Sequence, residues 1–191
     1  GAPRLLETVL TPLGRSGFVC LPRFADELTI GDLAADSAAA VDLAAAHGAR
    51  TVSLAGMIPA HTGYGAAVAG LVRSAARVTT GHAVTAASVV RTTLAALAAS
   101  DRSLSGSVLA VVGVGSIGGS SLRLLLARAG PAPARLVLCD LPAAAARLAE
   151  LAAVLTADGY PGMIEVAAAG PTAPAAVYRA DVIVAATSGG P

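Results

Sequence analysis

One stretch, Val108-Leu-Ala-Val-Val-Gly-Val-Gly-Ser-Ile-Gly-Gly-Ser-Ser-Leu122, constrains this chain more than any other. Its apolar run predicts a buried strand over 108–112. The glycines at 113, 115 and 118 predict a tight turn, and a helix then runs towards Arg128. In such a unit each glycine has its own task. Gly113 permits the turn, Gly115 lets a pyrophosphate approach the backbone, and Gly118 lets helix and strand pack closely. Gly113, Val114, Gly115, Ser116, Ile117 and Gly118 are therefore candidate cofactor-binding residues, with phosphates held on N–H groups at a helix N-terminus. A second strand, Leu136-Val-Leu-Cys-Asp140, ends in an acid about 20 residues beyond the last glycine, where ribose hydroxyls would lie. Asp140 would accept hydrogen bonds from both hydroxyls and repel a 2′-phosphate, which favours NAD over NADP. Arg147 would reach such a phosphate only by folding back. A plainer role for Asp140, capping the helix that starts near Pro142, is compatible with the first.

The rest of the second half repeats the alternation. Strand 107–112 leads to helix 116–129, and strand 135–140 to helix 142–157. Strand 163–167, a short helix at 173–179 and strand 181–186 follow. Ahead of it, 4–16 reads as a helix turn leading into a loop, and 17–21 as a short strand. Then come a helix over 30–47 with Leu33, Val41 and Leu43 on its apolar face, a strand over 51–55 and a helix over 66–75. An extended segment at 77–81 precedes a long helix, 82–99. The expected class is α/β: a Rossmann-like, doubly wound parallel sheet preceded by a smaller α/β region. The boundary is expected near residue 100, with 1–100 as a substrate-side region including the linking helix 82–99, and 101–191 as the dinucleotide-binding domain. The ending, Asp181-Val-Ile-Val-Ala-Ala-Thr-Ser-Gly-Gly-Pro191, is a strand and the loop expected to run beneath a nicotinamide ribose, which adds Thr187 and Ser188 to the cofactor candidates. Doubly wound sheets carry further strands after that point, so the domain is expected to be incomplete at its C-terminal side.

Composition excludes several classes. All 13 basic residues are arginine, the net charge is +1 and no basic run occurs, which argues against nucleic acid. Without lysine the chain has no Schiff-base former. Hydrophobic residues make up 55% of the sequence. Two long stretches, 51–72 and 103–122, contain no Asp, Glu, Lys or Arg, but both carry glycines and neither has an aromatic belt, so no membrane span is expected. Cys20 and Cys139 make no disulfide framework, and the default compartment is a reducing cytoplasm. No cluster has metal-ligand spacing. Both cysteines sit in strand patterns and read as packed thiols.

Outside the glycine turn, Val78-Thr-Thr-Gly-His-Ala-Val-Thr85 opens the long helix. Hydroxyls and an imidazole at a helix N-terminus suit a carbonyl or anion and proton exchange, making Thr80 and His82 the catalytic candidates. Capping by Thr80 is the simpler alternative. His61 and Tyr64, in the loop from Gly56 to Gly65, are substrate-side candidates on the same reasoning.

Taken with His47-Gly-Ala-Arg-Thr-Val-Ser-Leu-Ala-Gly56, these two motifs resemble the long-chain acyl-(acyl-carrier-protein) reductases and their relatives, over roughly residues 17–190. The chain departs from that pattern at His82, where the family carries Asn, and at Gly113-Val-Gly115, where it carries a Gly-Ala-Thr-Gly-type loop. The ending also resembles shikimate dehydrogenases and glutamyl-tRNA reductases, but the catalytic lysine of the former is impossible here. The resemblance implies reduction of a carrier-bound acyl thioester by a nicotinamide cofactor, with the acyl-accepting cysteine beyond residue 191. Its partners would be an acyl carrier protein or an acyl thioester substrate, and a homo-oligomer is compatible with it. Two alternatives stand beside it: a non-catalytic nucleotide-binding or scaffold domain of a larger biosynthetic enzyme, and a ketone or alcohol dehydrogenase without a covalent intermediate.

Overall fold

The hairpin at the N-terminus is the largest departure from expectation. In the computed structural model, which describes residues 1–170 and 172–187, 4–16 is not helical. β1 (Arg4–Thr11) pairs antiparallel with β2 (Gly14–Cys20). Leu5 and Leu6 stand four residues before Val9 and Leu10, which imitates a helical stripe, but Thr8, Val9 and Thr11 are β-branched and favour a pleated backbone. Gly14 closes the two-residue loop at a φ of +127°, and the Thr11 hydroxyl donates to its carbonyl at 2.7 Å.

The chain divides into two compact units, Gly1–Gly81 and His82–Pro191. In the first unit, α1 (Leu33–Ala46) begins where Asp32 Oδ1 accepts the Ala35 N–H at 2.9 Å. Its buried face is Leu33, Ser37, Ala38 and Val41, with Leu43 half-buried beside it. β3 (Thr51–Leu54), α2 (Ile58–His61), α3 (Ala66–Ala69) and β4 (Arg77–Thr80) follow. The extended segment expected at 77–81 is thus a true strand, parallel to β3, with Leu54 opposite Thr80. α3 stops well short of the expected residue 75. The reason lies on α1: Asp42 accepts the N–H groups of Arg73 and Ser74, at 3.1 and 2.9 Å, and pins the chain in a non-helical path after Gly70. The Ser74 N–H, foremost among its contacts, holds the Asp42 carboxyl below its ordinary range. Ala38, Val41, Leu54 and Val68 form this unit's core.

The second unit opens with α4 (His82–Ala99) and continues as β5 (Val108–Val112), α5 (Ser116–Arg128), β6 (Arg135–Asp140), α6 (Ala145–Ala157), β7 (Met163–Ala168), α7 (Ala175–Tyr178) and β8 (Val182–Ala185). These follow the sequence alternation to within a few residues. The strands form one parallel sheet ordered β7-β6-β5-β8. Successive strands step outward from β5 to β7, and the connection through α7 then returns to the other side of β5. Leu109, Val111, Leu136 and Leu138 point to one face, against Leu122 and Leu125 of α5 and Leu148 and Leu151 of α6. Ala110, Val137 and Cys139 point to the other, against Val177 of α7. A parallel sheet covered on both faces explains why its strands read as unbroken apolar runs. The protein is therefore of the α/β class.

The charge-free stretch 51–72 is broken into a strand and two short helices. By length and composition α4 is apolar enough to cross a bilayer; here its Val90 and Leu97 pack into the sheet's core.

Ser121, on the buried side of α5, carries a hydroxyl with no hydrogen-bond partner among the described residues. A buried hydroxyl left unpaired is destabilising, and alanine is the better helix former. Ser121→Ala is expected to raise stability by about 1 kcal/mol, read as a higher urea midpoint with an unchanged slope. A lower midpoint would mean that the hydroxyl is paired.

Candidate functional site

The glycine turn sits where the strand order reverses, between the carboxyl ends of β6 and β8. Gly113 donates to the carbonyl of Cys139 at the end of β6 (2.8 Å), and Ala186, just past β8, donates to Val112 at 2.8 Å. Gly113 has φ +82°, and a Cβ there would lie 2.6 Å from the Ala186 carbonyl oxygen, so both conformation and space demand glycine. At Gly118 an added Cβ would overlap the Gly113 carbonyl oxygen and come within 3.4 Å of the Ala186 Cβ. Gly115 is the opposite case. It precedes α5 in an extended conformation, and a Cβ built on it meets nothing within 4 Å. The first and last glycines are glycine because protein presses on them; the middle one borders open space.

Behind Gly115 the first-turn N–H groups of Ser116, Ile117 and Gly118 have no intrahelical acceptors. No side chain caps this end of α5 among the described residues. The arrangement offers an anion several convergent donors on the positive end of a helix.

Asp140 closes the other side of the turn. Its Oδ2 accepts the Val114 N–H at 2.9 Å and its Oδ1 the Leu141 N–H at 2.8 Å. Arg147 donates to Oδ2 at 3.0 Å. Burial pushes the Asp140 carboxyl up, but the two N–H groups and the guanidinium outweigh it and hold it below its ordinary range. The Asp140 side chain is only 14% exposed, against 54% for Arg147. The sequence reading missed the bond to Val114. The fold-back that Arg147 requires is present: a single 3₁₀ turn (Pro142–Ala144) between β6 and α6 returns the chain and sets Arg147 in the first turn of the helix. The spacing of an acid at a strand end and an arginine just inside the next helix was the available signal.

Thr187 is exposed just past β8, its Cγ2 3.1 Å from where a Gly113 Cβ would stand. Ser188 lies outside the described residues. His82 is half-buried at the start of α4, in the same unit. Cys139 is fully buried in β6, and burial, then the Asp140 charge, pushes its thiol up, away from the thiolate a nucleophile requires.

The first unit brings the loop that carries Tyr64 to one end of the β3–β4 pair. Thr80 ends β4, and the loop of Tyr64 folds down beside it: a Cβ on Gly65 would lie 3.5 Å from Thr80 Cγ2 and 3.0 Å from Leu54 Cδ1. Tyr64 takes a left-handed φ of +57° between two glycines that do the same, a conformation costing a tyrosine about 1 kcal/mol. Its side chain is exposed, as is His61 at the end of α2.

No protein-family model matches the chain, and no curated protein matches it.

Proposed function

We propose that the second unit is a Rossmann-type dinucleotide-binding unit, and that the protein is a nicotinamide-dependent oxidoreductase acting on a carrier-bound acyl thioester or a related carbonyl. The observation that carries this reading is the opposite response of Gly115 and Gly118 to an added Cβ. A turn that merely linked strand to helix would have no reason for glycine at an unconfined position with an ordinary backbone. A turn that must admit a pyrophosphate has one. The strand order supports the same reading. Counted from β5 it runs 3-2-1-4, and the crevice where such an order reverses is where open α/β sheets take their ligands.

The site fits a dinucleotide. Gly113 to Gly118 would hold the pyrophosphate through backbone N–H groups, and Thr187 would approach the nicotinamide ribose. A bound reduced nicotinamide would supply a hydride to a carbonyl carbon, and an oxidised one would accept it from the corresponding alcohol carbon. His82, at the N-terminal end of α4, is the proposed proton source for the carbonyl oxygen. Thr80 is the other proposed catalytic group, and His61 and Tyr64 are the proposed substrate-side groups. An acyl thioester, free or on an acyl carrier protein, is the proposed substrate, and the cytoplasm its compartment.

The test is consumption of NADH and NADPH with acyl-pantetheine thioesters and free ketones as rival substrates, together with calorimetric titration of Gly115→Val. The variant is expected to melt within about 2 °C of the parent and to bind either cofactor at least about tenfold more weakly. Unchanged binding by the variant would remove the cofactor assignment. Binding without turnover of any thioester would turn the reading to a ketone reductase or a scaffold domain.

A further inference from the structure

We propose that the tip of the β1–β2 hairpin, with the arginines gathered beside it, is a peripheral contact site for an anionic lipid surface. The contact is independent of the cofactor and of the reaction proposed above.

The tip is apolar and held outward. Leu10 is 84% exposed and Leu13 fully so, on either side of Pro12. The turn that carries them is braced. The Thr11 hydroxyl donates to the Gly14 carbonyl, and its oxygen accepts the Leu13 N–H at 3.3 Å. Single exposed leucines are ordinary on a soluble surface. Two on one ordered turn, with Val9 exposed just before them, form a patch that gains free energy when something covers it.

The charge beside the tip indicates the occupant. Arg15, opposite Leu10 across the hairpin, donates to the His47 carbonyl at 2.8 Å and so sets the tip against the C-terminal end of α1. Arg50 follows shortly after, and its carbonyl accepts the Arg77 N–H at 2.9 Å. The Arg73 N–H is held by Asp42, near the end of α1. The hairpin, the lead-in to β3, the loop before β4 and β4 itself thus each bring an arginine to one end of the unit. Arg50, Arg73 and Arg77 are exposed and make no ion pair among the described residues. Asp42 lies among them with its carboxylate engaged by the Arg73 and Ser74 N–H groups. Asp32 and Asp36 stand at the other end of α1, about 20 Å away for a helix of this length.

Leucines on a convex turn suit a surface that parts around them, and arginines spread over several segments suit a diffuse negative charge. An acidic protein would have to offer a matching pocket and carboxylates in register. Apolar insertion combined with attraction to anionic headgroups is what holds a peripheral protein at a bilayer surface.

The experiment is flotation of the full chain with vesicles of phosphatidylcholine alone and of phosphatidylcholine with phosphatidylglycerol in equal amounts. The parent is expected to bind the mixed vesicles at least about tenfold more tightly, and added salt to weaken that binding. Leu13→Ser should weaken binding to mixed vesicles at least about fivefold and keep its salt dependence. The double variant Arg50→Gln, Arg77→Gln should lower the preference for mixed vesicles at least about fivefold. Arg123→Gln, at an exposed arginine of α5 in the second unit, should bind as the parent does. All four side chains are exposed, so each variant is expected to melt with the parent, which circular dichroism checks. A parent that binds neither vesicle, or both equally, overturns the proposal. So does a loss in Arg123→Gln as large as in the arginine pair, which would mean that charge anywhere on the chain suffices. Unchanged vesicle binding by Leu13→Ser, or binding of soluble poly-glutamate as tight as that of mixed vesicles, would assign the arginines to an acidic protein and overturn the lipid contact.

Discussion

Gly118→Ala is expected to unfold the second unit or to cost it at least about 4 kcal/mol, whereas Gly115→Ala changes stability by less than about 0.5 kcal/mol. Both substitutions add one methyl group to the same turn, so the contrast is set by what surrounds each Cα. At Gly118 the new carbon would overlap the carbonyl oxygen of Gly113 and stand 3.1 Å from its carbonyl carbon. That oxygen is backbone and cannot rotate aside. Gly113 is itself fixed by its bond to Cys139 and by the Ala186 carbonyl pressing on the other side. Relief requires moving α5 away from β5. That would open the contacts of Leu122 and Leu125 with the sheet, the centre of the unit's larger core. At Gly115 nothing lies within 4 Å and the backbone is one that any residue adopts. Urea denaturation followed at 222 nm checks the pair. Equal losses at the two positions would mean that the turn is packed throughout and has no ligand-facing side, which would also weaken the proposed function.

That contrast bears on what the sequence could reveal. Glycine spacing after an apolar run identifies a strand, a turn and a helix, because few other arrangements use glycine in that rhythm. The alternation of 107–186 was legible for the same reason: each element buries a face against the next, so period and length are both written in the apolar residues. The first unit was harder. Four apolar residues in β1 fall at a helical interval by accident, and the decision for a strand rests on β-branching and on Gly14, signals weaker than periodicity. The early end of α3 was not locally encoded, since the groups that divert the chain, the N–H donors of Arg73 and Ser74, are held by a carboxylate on α1 about 30 residues earlier in the chain. Within the site, residue types identified the turn and Asp140 but not their connection. A side-chain acceptor on a backbone N–H leaves no pattern in the sequence, and neither does the fold-back that brings Arg147 to Asp140.

Asp140→Ala is expected to cost about 3 kcal/mol, because it leaves the Val114 and Leu141 N–H groups without acceptors and strands Arg147 beside them. Asp140→Asn should cost less, since the amide oxygen can still accept one of those bonds, and it exposes the part that depends on charge. The Asp140 carboxyl is held below its ordinary range in the folded chain. A group depressed by folding contributes its stability fully above its unfolded pKa, about 3.9 for Asp, and loses it as the pH falls through the lower folded value. The difference in unfolding free energy between the parent and Asp140→Asn should therefore be constant from pH 7 to about pH 5 and shrink below about pH 4. Asp42 is depressed as well and steepens the acid limb of every variant, so the difference between two proteins isolates Asp140 where a single curve would not. Urea unfolding at pH 7, 5 and 3 supplies the measurement. A difference that persists undiminished at pH 3 would mean that the charge on Asp140 contributes nothing to holding the turn, and that shape alone keeps Val114 and Arg147 in place. Arg147→Met supplies the complementary reading: it removes the ion pair but leaves both backbone donors satisfied, so it should cost well under half of what Asp140→Ala costs. The glycine turn would then still be braced by the bond from the Val114 N–H to Asp140 in a chain that has lost the ion pair.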